Sequence, residues 1–221
     1  GDYLDIAREE AISLLKLKKH VSAGNILIAE ASGEKLTEKF KRLALAKSIF
    51  KALFECNIPD IEKSMKDFEW NSVYKDSFCL RVHFLEGVKN DAIKNKIDGK
   101  KINQKREIVA SGSNPLAKLS EKNLAKYIWR SVSKPEVELK NPKTPIHLFV
   151  TKNRAYCGLL AYGNKENFEA RKSHLRPFHS PSSLNPKLAR ALANMTGIGS
   201  NEVLIDSFCG AGGFLIEAGM M

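Results

Sequence analysis

The stretch VLIDSFCGAGGFLIEAG, residues 203–219, decides the fold predicted for the C-terminal part of this chain. An apolar run of strand type leads into a glycine-rich turn, and a second apolar run of helical type follows. Glycine at positions 210 and 212 allows a positive φ and a close approach of a ligand to the backbone. The free N–H groups that open the following helix attract an anionic group. The pattern predicts a buried strand, a turn and a helix that cradle a ligand of nucleotide type.

Two common nucleotide-binding motifs do not match this turn. A dinucleotide-binding G-x-G-x-x-G would require glycine at position 215, where the chain has Leu215, and no Gly-Lys-Ser/Thr of a P-loop follows the apolar run. A tight strand-to-helix connection without a ligand is the alternative that stays open here. Glu217 lies one turn into the helix, where it is expected to be solvated or to cap the loop.

Charge is the most informative feature of the composition. The 221 residues include 36 Lys and Arg against 25 Asp and Glu, which gives a net charge of +11. Such an excess favours a polyanionic partner such as nucleic acid, although solvated lysine-rich helix faces would produce the same number. Lysines interrupt every apolar run before it reaches the roughly 20 residues of a membrane span. The acidic N-terminus does not fit a signal or transit peptide, so no membrane partner and a cytoplasmic location are expected.

The cysteines favour a packing role. Four of them are widely spaced without a C-x-x-C pair, which suggests neither a disulfide framework nor a zinc site, and no metal is expected. They are interpreted as reduced packing residues of a cytosolic protein. These cysteines are Cys56, Cys79, Cys157 and Cys209.

The hydrophobic periodicity of the N-terminal part predicts a small α/β unit. Helical spacing predicts a helix within residues 2–21, and alternation predicts a strand within 25–31. A second helix is predicted over 38–58, where Phe40, Leu43 and later apolar residues recur at helical spacing.

The middle of the chain predicts a mixed α/β module. Residues 77–87 alternate as a strand whose Cys79, Arg81 and His83 should point to solvent. A helix is predicted within 114–133 with Asn114 as its N-cap, and a hairpin within 146–163 with its turn at Lys152-Asn153.

A well-delimited helix follows a polar, proline-rich segment. In LNPKLARALANMTGIG, residues 184–199, Asn185 is the predicted N-cap, Pro186 the first helical residue and Gly197 the stop. The buried stripe of this helix is predicted to consist of Leu188, Ala191, Leu192 and Met195.

Two of these motifs resemble a known family. The motif DSFCGAGGFLIEAG, residues 206–219, resembles the first motif of Rossmann-like S-adenosylmethionine-dependent methyltransferases, in the RNA-modifying branch where it reads D-P-F-C-G-[TS]-G. Upstream, RPFHSPSSLNPKLARALANM, residues 176–195, looks like the loop and helix that precede that strand in archaeal and eukaryotic tRNA guanine-10 methyltransferases. Residues 60–163 are similar to a THUMP domain, and the first 55 residues resemble the ferredoxin-like unit that accompanies such domains.

The resemblance implies an α/β fold class. It implies an α+β ferredoxin-like unit and THUMP domain, followed by the start of a Rossmann-like methyltransferase domain. The implied segments are a ferredoxin-like unit without its first strand (1–57), a THUMP RNA-binding domain (58–163), a linker (164–183) and an incomplete S-adenosylmethionine-binding domain (184–221).

S-adenosyl-L-methionine is the cofactor that the resemblance implies. Matched by position, the residues around its methionine moiety are Asp206, Phe208, Gly210 and Gly212. The preceding loop would wall the same pocket with Phe178, His179 and Pro181, although His179 fits equally well as an incidental loop residue. The chain departs from the family at Ser207, where proline is usual, and this substitution makes the turn less rigid.

The resemblance also implies tRNA as the partner, held by its acceptor end and structured body. Contacts of this type go mainly to phosphates and recognise shape. They would fall on Lys100, Lys101, Lys105 and Arg106, and on the linker residues Arg171, Lys172 and Arg176. Plain solvation is the alternative for any single one of these cations.

Methylation of a guanine amine needs acceptors that orient the amine toward the methyl donor. The family provides them in an [N/D]-P-P-[Y/F] motif, which this chain lacks, so no catalytic residue is assigned. The expectation is the tRNA-binding part of a tRNA guanine N2-methyltransferase acting on guanine 10, inactive by itself. The alternative is a non-catalytic THUMP-type tRNA-binding module that docks a partner chain.

The sequence looks truncated at both ends. Three explanations stay open for this. The chain is a fragment, or the gene is split and a complementing C-terminal methyltransferase chain completes the domain, or the sequence stops where the sample stopped being ordered. Some relatives also have a small activator subunit as a partner.

Overall fold

The computed structural model describes residues 3–33, 35–85, 119–178, 180 and 183–221. These residues form two compact units, one made of residues 1–49 and 161–221 and the other of residues 50–160. Both units contain helices and strands, so the predicted α/β fold class is confirmed. The boundaries of the four implied segments, 1–57, 58–163, 164–183 and 184–221, stay a prediction.

A four-stranded mixed sheet organises the unit of residues 50–160. Its strands are β3 (Ser48–Asn57), β4 (Phe78–Phe84), β5 (Thr144–Val150) and β6 (Arg154–Gly163), in the spatial order β3-β6-β5-β4. β4 is parallel to β5, and β5 pairs with β6 as the predicted hairpin. The helices of this unit are α3 (Ile61–Asp67) and α4 (Glu121–Ser131).

One hydrophobic core lies between this sheet and its helices. Phe78, Leu80 and Ile146 from the strands pack with Leu124 and Ile128 of α4, all essentially inaccessible to solvent. The strand residues alternate in the sequence and the helix residues are four apart, so each element presents one apolar face. Burial of large side chains of this kind contributes about 1.5–3 kcal/mol each.

On the other face of β4, Cys79 and His83 do not point to solvent as predicted. Cys79 is buried, and His83 stacks on both His147 and Phe149 of β5, with ring centroids 5.0 and 4.9 Å apart. The parallel register sets His83 beside Phe149, so neighbouring rings cover each other. Phe50 closes the cluster with its ring 4.8 Å from that of His147.

The unit of residues 1–49 and 161–221 is mostly helical. Its helices are α1 (Leu4–Leu15), α2 (Leu36–Arg42), α5 (Pro186–Met195) and α6 (Gly213–Gly219), and its hairpin consists of β1 (His20–Ala23) and β2 (Ile26–Ala29). α5 begins as predicted, because Asn185 caps it by accepting a hydrogen bond from the Lys187 amide. Gly197 follows the helix with a φ of 75°, as its predicted stop requires.

Two predicted elements are wrong. The helix predicted over 38–58 ends at Arg42, and β3 begins at Ser48, because the same apolar spacing also suits a strand packed on a neighbouring hairpin. The helix predicted from residue 114 begins at Glu121, where the Ser120 hydroxyl accepts a hydrogen bond from the Asn123 amide. The predicted N-cap Asn114 lies outside the described residues.

A buried polar network takes part in the core of the first unit. The carboxylate of Glu10, fully buried on α1, accepts hydrogen bonds from the Ala44 and Leu45 amides at 2.7 and 2.9 Å. It also accepts one from the side chain of Asn194 on α5 at 2.7 Å. Charge-assisted bonds of this kind are strong, so Glu10 fixes α5 to α1 and to the segment after α2.

No helix among the described residues is long and apolar enough to span a membrane.

Candidate cofactor site at the glycine turn

The glycine-rich turn has the backbone that the sequence predicts. Gly210 and Gly212 have φ values of 53° and 68°, which a residue with a β-carbon rarely adopts. The turn is closed by the Gly212 amide, which donates to the carbonyl oxygen of Cys209 at 2.8 Å. At its start, the Asp206 carboxylate accepts a hydrogen bond from the Phe208 amide at 3.0 Å. Local hydrogen bonds and two glycines therefore define the shape of the turn.

The strand predicted before this turn is not formed. Residues 202–206 carry no strand assignment, and Val203 and Ile205 are 87 % and 82 % exposed. A strand becomes buried through pairing with neighbours, and none of the described strands pairs with this segment. The prediction of a buried strand is therefore wrong for the chain as described.

The environment of Glu217 differs more from the prediction than that of any other residue of the turn and the following helix. It is neither solvated nor a loop cap, because its side chain is 0 % exposed and lies between two arginines. Arg171 donates from Nε to Oε1 at 2.7 Å, and Arg190 of α5 donates from Nη2 to Oε2 at 2.9 Å. The hydrogen bond from Arg171 to Glu217 raises the pKa of Arg171. This buried ion cluster fixes α6, and with it the end of the glycine turn, to α5 and the 164–176 segment.

Arg176 lies directly beside the start of α6. Its Nε donates to the carbonyl oxygen of Arg171 at 3.0 Å. A β-carbon built on Gly213 would lie 3.1 Å from Nη1 of Arg176, so any larger residue there would require the guanidinium to shift. The two terminal nitrogens of Arg176 are shielded from solvent and have no hydrogen-bond partner among the described residues.

The aromatic residues assigned to the pocket are open to solvent. Phe208 is 96 % exposed and Phe178 is also exposed. Cys209 in the same turn is exposed too, so the packing role predicted for all four cysteines is wrong for this one. His179 and Pro181 lie outside the described residues. The described part of the site is thus a shaped backbone turn with one arginine against it.

The predicted RNA-binding residues fall into two groups. The linker cations Arg171 and Lys172 are engaged by carboxylates, Arg171 by Glu217 and Glu166, and Lys172 by Glu169. Arg176, the third linker cation, is described too, and its two terminal nitrogens are shielded from solvent. The other four predicted RNA contacts lie outside the described residues: Lys100, Lys101, Lys105 and Arg106.

A cationic cavity in the first unit was not predicted. It has a volume of about 620 Å³, and its basic lining residues are Lys35, Lys39, Lys41, Arg42 and Arg190. Burial and the nearby charge of Arg190 lower the pKa of Arg42. The basic residues in the last turn of α2 were a signal for it, but the prediction of one long helix over 38–58 did not show where this turn ends.

The buried polar roles of Glu10, Arg190 and Asn194 were also not predicted from the sequence. Arg190 and Asn194 are four residues apart on α5, and both lie on its buried side. Two polar residues at this spacing within a small-residue helix could have indicated a polar interface.

Comparisons with known proteins agree with the sequence motifs. Residues 173–221 match the UPF0020 family, described as RMKL-like, methyltransferase domain. The tRNA (guanine(10)-N2)-dimethyltransferase of Methanothermobacter thermautotrophicus is 28 % identical over 182 residues, which is 82 % of this chain and 46 % of that protein. The protein of the same name from Pyrococcus abyssi is 26 % identical over 98 % of this chain and 57 % of its own length. The chain thus spans about half the length of these curated relatives.

Among solved structures, TrmN from Thermus thermophilus aligns with a TM-score of 0.49 at 17 % identity, covering 87 % of this chain and 51 % of that one.

The matches in sequence confirm the resemblance drawn from the two motifs: this chain is similar in sequence to archaeal tRNA (guanine(10)-N2)-dimethyltransferases.

Proposed function

We propose that this chain is the tRNA-binding part of an S-adenosylmethionine-dependent tRNA guanine N2-methyltransferase that acts in the cytoplasm on guanine 10. The observation that carries the proposal is the glycine turn with its positive φ values at Gly210 and Gly212, within a segment matching a methyltransferase domain family. The names of the curated relatives support the reaction and the substrate.

The cofactor would lie against the glycine turn. The proposed contacts are Asp206, Phe208, Gly210 and Gly212, together with Phe178, His179 and Pro181 of the preceding loop. One carboxylate oxygen of Asp206 accepts from the Phe208 amide, and among the described residues no donor is bonded to the other, which could accept from a ligand. Bound S-adenosylmethionine supplies the methyl group, while these residues orient it and exclude water.

The RNA would follow the cationic surface. The net charge of +11 supports attraction of tRNA, and the cavity lined by Lys39, Lys41 and Arg42 adds a described location for phosphates. We retain six of the seven sequence-based residues as proposed RNA contacts, all except Arg176, whose terminal nitrogens are shielded from solvent. Arg171 is the weakest of them, because two carboxylates already neutralise it.

The decisive test is a binding titration of S-adenosylmethionine by calorimetry. We expect binding by the chain, or by the chain supplemented with a complementing C-terminal methyltransferase fragment. Binding in neither case would contradict the proposal and would favour a non-catalytic THUMP-type module that docks a partner chain.

Turnover provides the second test. The chain lacks an [N/D]-P-P-[Y/F] motif, so residues 1–221 alone should transfer no labelled methyl group to tRNA. Transfer by the purified chain would show that the orienting acceptors are supplied in another way.

A further inference from the structure

The guanidinium group of Arg176 is shielded from solvent and has no counter-charge among the described residues. Nη1 and Nη2 are shielded from solvent and have no hydrogen-bond partner among the described residues, while Nε is bonded to a carbonyl oxygen. An arginine is always charged, and its planar fork offers five N–H donors. Leaving shielded, charged donors without an acceptor is unfavourable, so these two nitrogens favour the binding of an anion.

The nearby carboxylates do not serve as that anion. Glu217 is held by Arg171 and Arg190, and Glu166 pairs with Arg171. Glu169 pairs with Lys172. Each of these acids already pairs with a cation other than Arg176, so a partner for Arg176 must come from outside the described residues of this segment.

The location of the guanidinium indicates where an anion would bind. Nη1 lies against Gly213, directly after the two glycines with positive φ, and Cζ would be 4.0 Å from a β-carbon at that position. An anion bound here would therefore also lie at the glycine turn. The turn residues Phe208 and Gly210 are exposed, so a small ligand can reach the turn from solvent.

We propose that Arg176 binds the α-carboxylate of an amino-acid moiety at the glycine turn, as a specificity-determining residue for the cofactor. The proposal rests on the proposed function, in which the turn holds S-adenosylmethionine. A guanidinium and a carboxylate form two parallel, charge-assisted hydrogen bonds, and neither terminal nitrogen of Arg176 has another partner among the described residues. Because both nitrogens are shielded, the guanidinium or its cover has to move when the ligand binds. The proposal replaces the assignment of Arg176 to RNA, because phosphates of folded RNA contact protruding cations whereas these nitrogens are shielded.

The first experiment compares two ligands by calorimetry on the full chain. S-adenosylhomocysteine carries the carboxylate, and its decarboxylated analogue lacks only that group. Arg176→Gln should weaken S-adenosylhomocysteine about 10- to 100-fold and leave the analogue within about 2-fold, as expected for loss of charge-assisted bonds. Arg176→Lys, a single point charge, should recover part of the loss.

The second experiment moves the guanidinium without removing it. Gly213→Ala places a methyl group 3.1 Å from Nη1, so the arginine must shift, whereas Gly219→Ala meets nothing within 4 Å. Gly213→Ala should weaken S-adenosylhomocysteine more than the analogue, and Gly219→Ala should change neither.

A third measurement needs no ligand. Arg176→Met removes a shielded, unpaired charge and should raise the melting temperature of the free chain. Arg171→Met leaves buried Glu217 with one cation fewer and should lower it.

The outcomes separate the two proposals. If neither ligand binds to the wild-type chain, alone or supplemented with the complementing C-terminal fragment, the proposed function fails, and the assignment of Arg176 fails with it. If it binds both and Arg176→Gln weakens both equally, only the assignment of Arg176 is overturned. An unchanged affinity for both ligands with a loss of tRNA binding would return Arg176 to the RNA surface.

Discussion

Glu217 shows how one residue can determine the position of a whole turn. Its carboxylate is fully buried and receives hydrogen bonds from Arg171 and Arg190, which are 46 and 27 residues away in sequence. Phe168 packs beneath both guanidinium groups, 5.1 and 5.9 Å from its ring centroid. The helix that follows the glycine turn is therefore anchored by a buried ion cluster that packs on an aromatic ring.

Replacement of this carboxylate should be costly. Glu217→Gln leaves two largely buried arginines without their shared counter-charge, and we expect the free energy of unfolding to fall by about 3 kcal/mol. Urea denaturation measures this, with Glu169→Gln as control because Glu169 is mostly exposed. Equal effects of the two substitutions would show that the cluster contributes nothing beyond a surface pair.

At the scale of elements, the sheet of the second unit contains a histidine pair with a distinct titration behaviour. Nε2 of His83 lies 2.8 Å from Nδ1 of His147, and the rings are parallel. Burial, and then the nearby His83 and Arg81, lower the pKa of His147 to about 4. Burial also lowers the pKa of His83, while the charge of Glu121 opposes this.

The sheet should therefore lose stability in acid. The unfolded chain takes up a proton at His147 near its ordinary pKa of 6.5, whereas the folded chain does so only near 4, so the free energy of unfolding falls as the pH drops through this window. Denaturation at about pH 7 and about pH 4.5 should show a smaller difference for His147→Gln than for wild type. His174→Gln, at an exposed position, is the control, and an unchanged difference for His147→Gln would contradict the assignment.

At the scale of the whole molecule, the proposed function predicts an affinity for tRNA that depends strongly on salt. Lys39→Gln and Lys41→Gln at the cationic cavity should weaken tRNA binding and reduce the slope of log Kd against log salt by about one for each phosphate that is no longer neutralised. Filter binding over a salt series measures this, with exposed Lys122→Gln on α4 as the matched control. Equal slopes for all three variants would move the RNA surface away from α2.

The features that the sequence predicted correctly depend on neighbours along the chain. Asn185 and Gly197 delimit α5 through bonds within a few residues, and the positive φ of Gly210 and Gly212 follows from the glycines themselves. The failures depend on distant partners. The 48–57 segment becomes a strand because β6 lies beside it, and the role of Glu217 requires arginines far away in sequence. Neither partner is visible in a local pattern.

The exposure of Cys209 makes the glycine turn chemically addressable. Cys56, Cys79 and Cys157 are buried, and burial raises the pKa of each, so their thiolates are scarce at neutral pH. A maleimide should therefore alkylate Cys209 selectively, and a molecule seated on the turn should slow that alkylation. The rate of modification, followed by mass spectrometry, would report occupancy of the turn without any assay of methyl transfer.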